Sequence, residues 1–377
     1  VGSLAGIHRN LWAEALRQPV LDKPFQQCHE SSFQWSTFIC FRWKLAFLIL
    51  GSLVLGPFVI SRLASFSRCV EIHHLERLAQ ATPQFEGPFV SEAAQQESQS
   101  SFQVVTYNIA HGRGLSESNW TGETDEERTQ RLDAIAELLV QIDADVVVLN
   151  EVDFDTSWSG GIDQAQYIAG RCGYAYIAEQ RNLDFRVLGW TWRFGNAVLS
   201  KHAIEAAEVV GLPGYAIWET IVAGKKRALD CQIKLDRHDD SGSIRIIAAH
   251  LSPRSENLRV RSMKQLLQLA RESQLPTLIA GDLNSAPAGF QRSEHDAEGD
   301  NAIAVADASG LFVRRPMAES QLYQTYPAVS PDRVIDWVLA PQSGRIVHHR
   351  VIDTDLSDHR PVVLGLEFSP RDQKASP

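Results

Sequence analysis

The chain has 377 residues, enough for one large domain with extensions or for two domains. Its apolar fraction of 44% and charged fraction of 22% are those of a globular protein and exclude a chain that is disordered throughout. The formal net charge is −10, which argues against affinity resting on bulk attraction to nucleic acid.

The first 101 residues carry eight basic and eight acidic side chains, so the excess acid lies wholly beyond them, where a local basic cleft is still compatible with the count. Cys28, Cys40, Cys69, Cys172 and Cys231 are odd in number and show no CxxC spacing, so they imply neither a disulfide framework nor a zinc site. Cys172 and Cys231 read as small buried hydrophobes, with a disulfide between them as the alternative in an exported domain. The chain opens with Val1 and shows no Met before Met263, which reads as a fragment or as a non-Met start of a bacterial gene.

Residues 1–40 show no sustained period and read as poorly structured. Residues 41–66 read as a transmembrane or signal-anchor segment. Leu45 to Ser61 contain no charge, with Arg42 and Lys44 on one side and Arg62 on the other. That run is at the short limit of the roughly 17–25 residues a spanning helix needs. Trp43 stands where an interfacial aromatic would. If translation begins near Arg42, the same stretch reads as the core of a signal peptide. Anchor and cleaved signal both stay open, and the expected location is membrane-associated or exported, with the catalytic domain outside. Residues 67–101 read as a linker, the part from 79 onward being rich in Gln, Ser, Ala, Glu and Pro.

From Phe102 short β-branched runs alternate with helical periods, and residues 102–368 read as one domain followed by a tail, 369–377. "QVVTYN" is a strand, residues 126–142 carry Leu132, Ile135, Leu138, Leu139 and Ile142 at helical spacing, and "DVVVLNE" is a buried strand. "NAVLS", "ALDCQIKL" and "SIRIIAAH" follow as strands, then a helix over roughly 256–272, then "TLIAG", "VIDWVLA" and "PVVLGLEF". This is an α/β domain, and consecutive strands without intervening helices point to mixed sheets.

Polar residues of one kind fall at the strand ends: Asn108, Glu151, His250, Asp282 with Asn284, Asp336, and Asp358 with His359. Each has a bland explanation alone, as a turn former, a cap or a satisfied core histidine. Together they point to one cleft, because a sheet brings strand ends together. Carboxylate and amide oxygens suit Mg²⁺, with Mn²⁺ possible, rather than zinc. Histidines and carboxylates beside such an ion can activate water and stabilise a phosphoryl transition state.

The set "VVTYNI", "VVVLNEVD", "RFGNAVLSK", "AAHLS", "LIAGDLNSAP", "VIDWVLA" and "LSDHRPVV", in this order over about residues 102–368, resembles the endonuclease/exonuclease/phosphatase superfamily, the DNase I-like fold. The resemblance implies a four-layer α/β/β/α sandwich of two mixed β-sheets with a metal-dependent phosphoesterase site at one edge. It implies Glu151 as the principal metal carboxylate, with Asn108 and Asp358 near metal or phosphate. Asp282 would activate water and Asn284 orient it. His359, held by Asp336, would contact the scissile phosphate, and His250 would stabilise the transition state or assist the leaving oxygen. Asn196 and Arg227 match positions near the phosphate. Asn150 stands where the family has Gln, a change expected to shift a neighbouring hydrogen bond without abolishing metal binding.

The function expected is a Mg²⁺-dependent phosphoester hydrolase acting on a phospholipid head group or a nucleic acid. Lys225, Lys226 and Arg227, and Arg254 with Arg259, are basic groups that could meet one phosphate but not a long duplex. No obligate protein partner is evident. The alternative of an inactive binding or scaffold module predicts replacement of at least one of Glu151, Asp282, Asn284, Asp336 or His359, and all five stand. A zinc hydrolase lacks the ligand spacing.

Overall fold

The computed structural model describes residues 43, 44, 46–53, 55, 56, 70–74, 101–119, 124–187, 189–214, 224–237 and 240–368. The chain divides into two units, Val1–Leu55 and Gly56–Pro377. In the first, the described residues from 43 onward are helical, and Phe47, Leu48, Leu50 and Leu53 are exposed. No helix among the described residues is long and apolar enough to cross a membrane. Of the expected spanning segment, 41–66, these described positions are helical, and positions 41, 42, 45, 54 and 57–66 lie outside the described residues. Residues 1–40, most of the stretch read as linker and the tail 369–377 also lie outside them.

The second unit holds thirteen strands among its described residues. One sheet has the order β1 (Val70–His74), β4 (Tyr176–Val187), β5 (Trp190–Ser200), β3 (Val146–Asp153), β2 (Phe102–Asn108), β13 (Val362–Phe368) and β12 (Gly344–Val351). The other has the order β10 (Phe312–Val313), β11 (Asp336–Pro341), β9 (Thr277–Asp282), β8 (Asp240–Ala248), β7 (Arg227–Arg237) and β6 (Ile204–Gly211). Only β2 with β3 and β8 with β9 pair in parallel, so both sheets are mixed, as expected.

The strand β1 corrects the reading of 67–101 as linker throughout. Its alternating Val-Glu-Ile-His-His pairs antiparallel with β4. Glu71 meets the Arg181 guanidinium at 2.6 and 2.8 Å, and His73 meets Glu179 at 3.2 Å, so charge fixes this edge strand to the domain.

Three apolar clusters make the layers. Val105, Val147 and Leu149 point to a core with α1 (Asp125–Ile142) and α2 (Gln164–Cys172). Their neighbours Val104, Val146 and Val148 point the other way, into a core between the sheets that also holds Leu229, Ile246, Leu278 and Val338. Ile247, Ile279 and Trp337 face α3 (Glu256–Glu272) and α4 (Ala302–Ala308). Burial on both faces explains the unbroken Val and Leu runs of β2, β3 and β9. The result is the four-layer α/β/β/α sandwich expected from the sequence. Cys172 and Cys231 are free thiols, Cys231 buried.

Candidate active site

Topology alone collects the polar strand ends. The parallel pairs β2/β3 and β8/β9 finish at the same edge of the sandwich, while β11 and the segment before β13 begin there. Register places Asn108 opposite Asn150, Asn150 opposite Asn196, and Asp336 opposite Asp282.

Glu151 owes its position to a break in β3. The ladder with β5 shifts register between Asn150 and Val152, and Glu151 has φ 52°. A bulge residue of this kind leaves the pleat and re-aims its side chain. The carboxylate lies 3.5 Å from His111 Nε2, 3.4 Å from Arg113 Nη1 and 3.9 Å from His250 Nε2. Burial acts to raise the Glu151 pKa, but the charges beside it, His111 first and Arg113 with it, outweigh it and hold the carboxyl below the usual range. Burial, reinforced by Lys226, pushes His250 well below its ordinary value, so His250 is neutral and the lasting cations are His111 and Arg113.

His111 and Arg113 were not singled out in the sequence, although "NIAHGRG" continues directly from Asn108. His111 bonds Asp153 at 2.7 Å, and Asp153 also accepts from the Trp158 indole at 2.7 Å. Burial opposes the His111 proton, and Asp153 prevails and raises its pKa. Arg113 donates to Asp358 Oδ2 at 3.0 Å while touching Glu151. The two carboxylates therefore converge on one point where positive charge already sits.

Asp282 is the buried centre. Its Oδ2 accepts from Asn108 Nδ2 at 3.1 Å and lies 3.6 Å from His250 Nε2 and 3.7 Å from His359 Nε2. Its Oδ1 accepts the Asn284 N–H at 2.9 Å in an Asx turn, and Asn284 itself has φ 52°. The turn and the site thus coincide, since the turn aims Asn284, whose amide donates to Leu251 O at 3.3 Å. Burial raises the Asp282 pKa, partly offset by His359. His359 Nδ1 bonds Asp336 Oδ2 at 2.9 Å, and the Tyr326 ring lies 4.7 Å from its imidazole. Burial acts against the imidazolium, but Asp336 and Asp282 overcome it and carry its pKa to about 10. His359 is therefore a fixed cation at neutral pH.

Asn150 joins the sheets beneath these groups. Its Oδ1 accepts the Asp282 N–H at 2.8 Å and its Nδ2 donates to Asn196 Oδ1 at 2.9 Å. The sheets approach closely here. A Cβ on Gly281, at φ 145°, would lie 1.8 Å from Ala249 O and 3.1 Å from Asn150 Oδ1, so the motif requires glycine and the short amide fits the gap.

Two expectations are corrected. Asn196 is fully buried and directs its Nδ2 to Gln180 Oε1 at 2.8 Å and Arg227 O at 3.1 Å. With both amide hydrogens used, it positions the Arg227 backbone rather than contacting phosphate. Arg259 is buried against Glu256, Glu294 and the Ser252 carbonyl, so it is structural and unavailable to a phosphate. Arg227 lines the cleft, with one guanidinium N–H given to Arg181 O.

Glu151 and Asp358, both held by Arg113, and Asp282, which shares His250 with Glu151, offer carboxylate oxygens of the kind a hard divalent cation takes, and Asn108 adds an amide oxygen beside Asp282. Among the described residues, two groups have donor atoms all within 4.8 Å of one another: Glu71, His73 and Glu179 at the β1 edge, and Asp282, Asp336 and His359 in the cleft. There the hydrogen bond already occupies His359 Nδ1 and Asp336 Oδ2.

Fold and site together define an α/β sandwich with a carboxylate–histidine cleft at one edge. The chain belongs to the Endonuclease/Exonuclease/phosphatase family, whose model matches residues 105–359; members of this family are hydrolases of phosphoester bonds. Similar solved structures include an endonuclease/exonuclease/phosphatase from Beutenbergia cavernae (24% identity, 71% of this chain and 72% of that one, TM-score 0.51). An endonuclease/exonuclease/phosphatase from Bacteroides vulgatus gives 14% identity, 72% and 100% coverage and TM-score 0.53. The mannosyl-6-phosphatase Bt3783 of Bacteroides thetaiotaomicron gives 15%, 71% and 100%, and 0.51. These likenesses show the fold. Among curated proteins no relative matches.

Proposed function

We propose that this protein is a Mg²⁺-dependent phosphoester hydrolase, with Mn²⁺ able to substitute, that works at or outside a membrane. One observation carries the reading: Glu151, His250, Asp282 and the Asp336–His359 pair, drawn from five separate strand ends, are linked by successive side-chain contacts of 2.9 to 3.9 Å.

Glu151 and Asp358 would hold the divalent ion, with Asn108 and Asp282 beside it. When bound, the ion supplies Lewis-acid polarisation of a phosphoryl oxygen. Asp282 accepts the proton of the attacking water; its raised affinity for a proton suits a base. Asn284, aimed by the Asx turn, orients that water or the phosphate. His359 presents Nε2–H to the phosphate and, being cationic, stabilises the charge that develops on it. Asp336 accepts the Nδ1–H of that imidazolium and fixes the plane of its ring. Neutral His250 hydrogen-bonds a phosphoryl or leaving oxygen, and Arg227 faces the same anion from the cleft wall. The substrate class lies between a phospholipid head group and nucleic acid on the reaction chemistry alone. The uncharged run from Leu45 to Ser61 with its basic flanks supports the membrane or export assignment.

The test is hydrolysis of bis(p-nitrophenyl) phosphate by the chelated full chain. Activity returns with Mg²⁺ or Mn²⁺ and is lost again with EDTA; activity indifferent to EDTA rejects the reading.

A further inference from the structure

His111 stands on a single 3₁₀ turn, Ala110–Gly112, that leaves the end of β2. Ala110 has φ 49° and His111 φ 55°, so two residues with side chains occupy the left-handed region. Backbone of this kind persists only where its surroundings over-determine it. Ala110 N–H donates to Asn108 Oδ1 at 3.0 Å, and Gln164 Nε2 donates to His111 O at 2.9 Å. Gln164 Oε1 in turn accepts the Asp153 N–H at 3.0 Å, so one amide clamps the turn to β3.

The ring is held as firmly as the backbone. His111 is buried, with Phe194 and Trp158 edge-on to its imidazole at 5.4 and 6.2 Å. Its Nδ1 meets Asp153 Oδ1 at 2.7 Å, and Asp153 Oδ2 accepts the Trp158 indole N–H at 2.7 Å. A carboxylate takes a hydrogen bond from the nitrogen it touches. Nε2 is thereby the ring atom left to the cleft, 3.5 Å from Glu151 Oε2. That separation exceeds the roughly 2.7–3.2 Å of an N–H···O hydrogen bond. It falls within the roughly 3–4 Å that separates two ligands of one ion when each bond is about 2.1 Å.

A histidine with one nitrogen on a buried carboxylate and the other free to face an ion is the usual arrangement of a metal ligand. The carboxylate fixes the ring and strengthens the facing nitrogen as a donor. What favours a proton on Nε2 favours an ion in its place. The bulge turns Glu151 to the same point, and Arg113 Nη1, 3.4 Å from Glu151 Oε2, is the group that an ion there displaces.

We infer that His111 Nε2 is a ligand of the divalent ion at Glu151, held for that task by Asp153. The ion then has a mixed nitrogen–oxygen site, which favours Co²⁺ over Mg²⁺ by more than carboxylates alone would. The inference rests on the reading above for the ion's place at Glu151.

The test is pulsed EPR of the chelated full chain loaded with less than one equivalent of Mn²⁺, which detects nitrogen bound directly to the ion. Wild type shows that coupling, His250→Ala keeps it and His111→Ala loses it. Calorimetry reads the same ligand. His111→Ala lowers Co²⁺ affinity about tenfold or more while Mg²⁺ affinity moves by about threefold at most, and Asp153→Asn shifts Co²⁺ affinity in the same direction. Absence of directly bound nitrogen in wild type overturns the inference, whether or not the variants fold. So does a coupling that His250→Ala abolishes, or a His111→Ala chain that binds both ions more tightly, as a mere ion pair with Glu151 would give. Bis(p-nitrophenyl) phosphate assayed in parallel on the wild-type chain separates the two readings. Mn²⁺-dependent cleavage without bound nitrogen rejects the His111 assignment alone. A nitrogen-bound ion without cleavage rejects the hydrolase reading and leaves the His111 assignment standing.

Discussion

Asp336→Asn is the substitution from which the structure yields most. The variant keeps the size and shape of the side chain and removes its charge. Asp336 Oδ2 accepts from His359 Nδ1 at 2.9 Å, while Oδ1 is buried without a hydrogen-bond partner. Asparagine can keep its oxygen toward the imidazole, but its amide N–H₂ then takes the unpartnered place. Burying that donor costs about 1–3 kcal/mol. The larger effect falls on His359. Holding the imidazolium to about pH 10, against an ordinary 6.5, corresponds to about 5 kcal/mol of charge stabilisation, of which Asp336 is the leading source. Without that carboxylate, burial dominates and His359 is neutral at pH 7.

Two consequences follow from the sign of this shift. The stability contributed by the raised His359 pKa is fully present below pH 6.5 and is lost as pH climbs through about 10. In Asp336→Asn this alkaline loss disappears, while the variant melts lower than wild type at pH 6. The rate at pH 7 falls about a hundredfold or more, since the cation facing the phosphate is gone. NMR titration of the His359 ring, melting curves from pH 6 to pH 10.5 and the pH–rate profile measure all three. A His359 titration that stays near pH 10 in the variant, or a rate within twofold of wild type, refutes the pairing as described.

Asn150→Ala strands the Asp282 N–H and Asn196 Oδ1 without partners, so it lowers unfolding free energy by about 2–5 kcal/mol in denaturant titration. Arg113→Gln removes the cation that bridges Glu151 and Asp358, so calorimetry finds Mn²⁺ bound about three- to tenfold more tightly; an unchanged affinity shows that the guanidinium does not compete for those carboxylates. Deleting residues 1–66 moves the protein from the membrane fraction to the supernatant, and unchanged sedimentation contradicts the proposed anchor.

The parts of this protein that were legible in the sequence share one property: they combine a strand buried on both faces with a polar end. Asn108, Glu151, His250, Asp282, Asp336 and His359 each terminate or flank such a run, and the sandwich brings them to one edge. The long strand β4 was not legible, because its buried stretch is Glu179, Gln180, Arg181 and Asn182. These side chains are satisfied by partners distant in sequence, such as Glu71 for Arg181 and Asn196 for Gln180. Charge pairing with β4 likewise places Val70–His74 in a sheet, inside the stretch 67–101 read as linker. Asn196 and Arg259 carried the chemistry expected of phosphate ligands, yet their donors are taken up by Gln180, Glu256 and backbone carbonyls. Hydrogen-bond allocation of that kind follows from tertiary contacts and leaves no trace in spacing. The backbone break that aims Glu151 is equally silent, since no Gly or Pro marks it.

The central claim is that Glu151 holds a divalent ion beside a water-activating Asp282. Its most direct test is Mn²⁺ binding and Mn²⁺-restored hydrolysis of bis(p-nitrophenyl) phosphate, measured side by side for wild type and Glu151→Gln. The variant loses measurable Mn²⁺ binding and about a thousandfold or more in rate while keeping its melting temperature within a few degrees. Wild-type metal affinity together with a wild-type rate in Glu151→Gln would contradict the account.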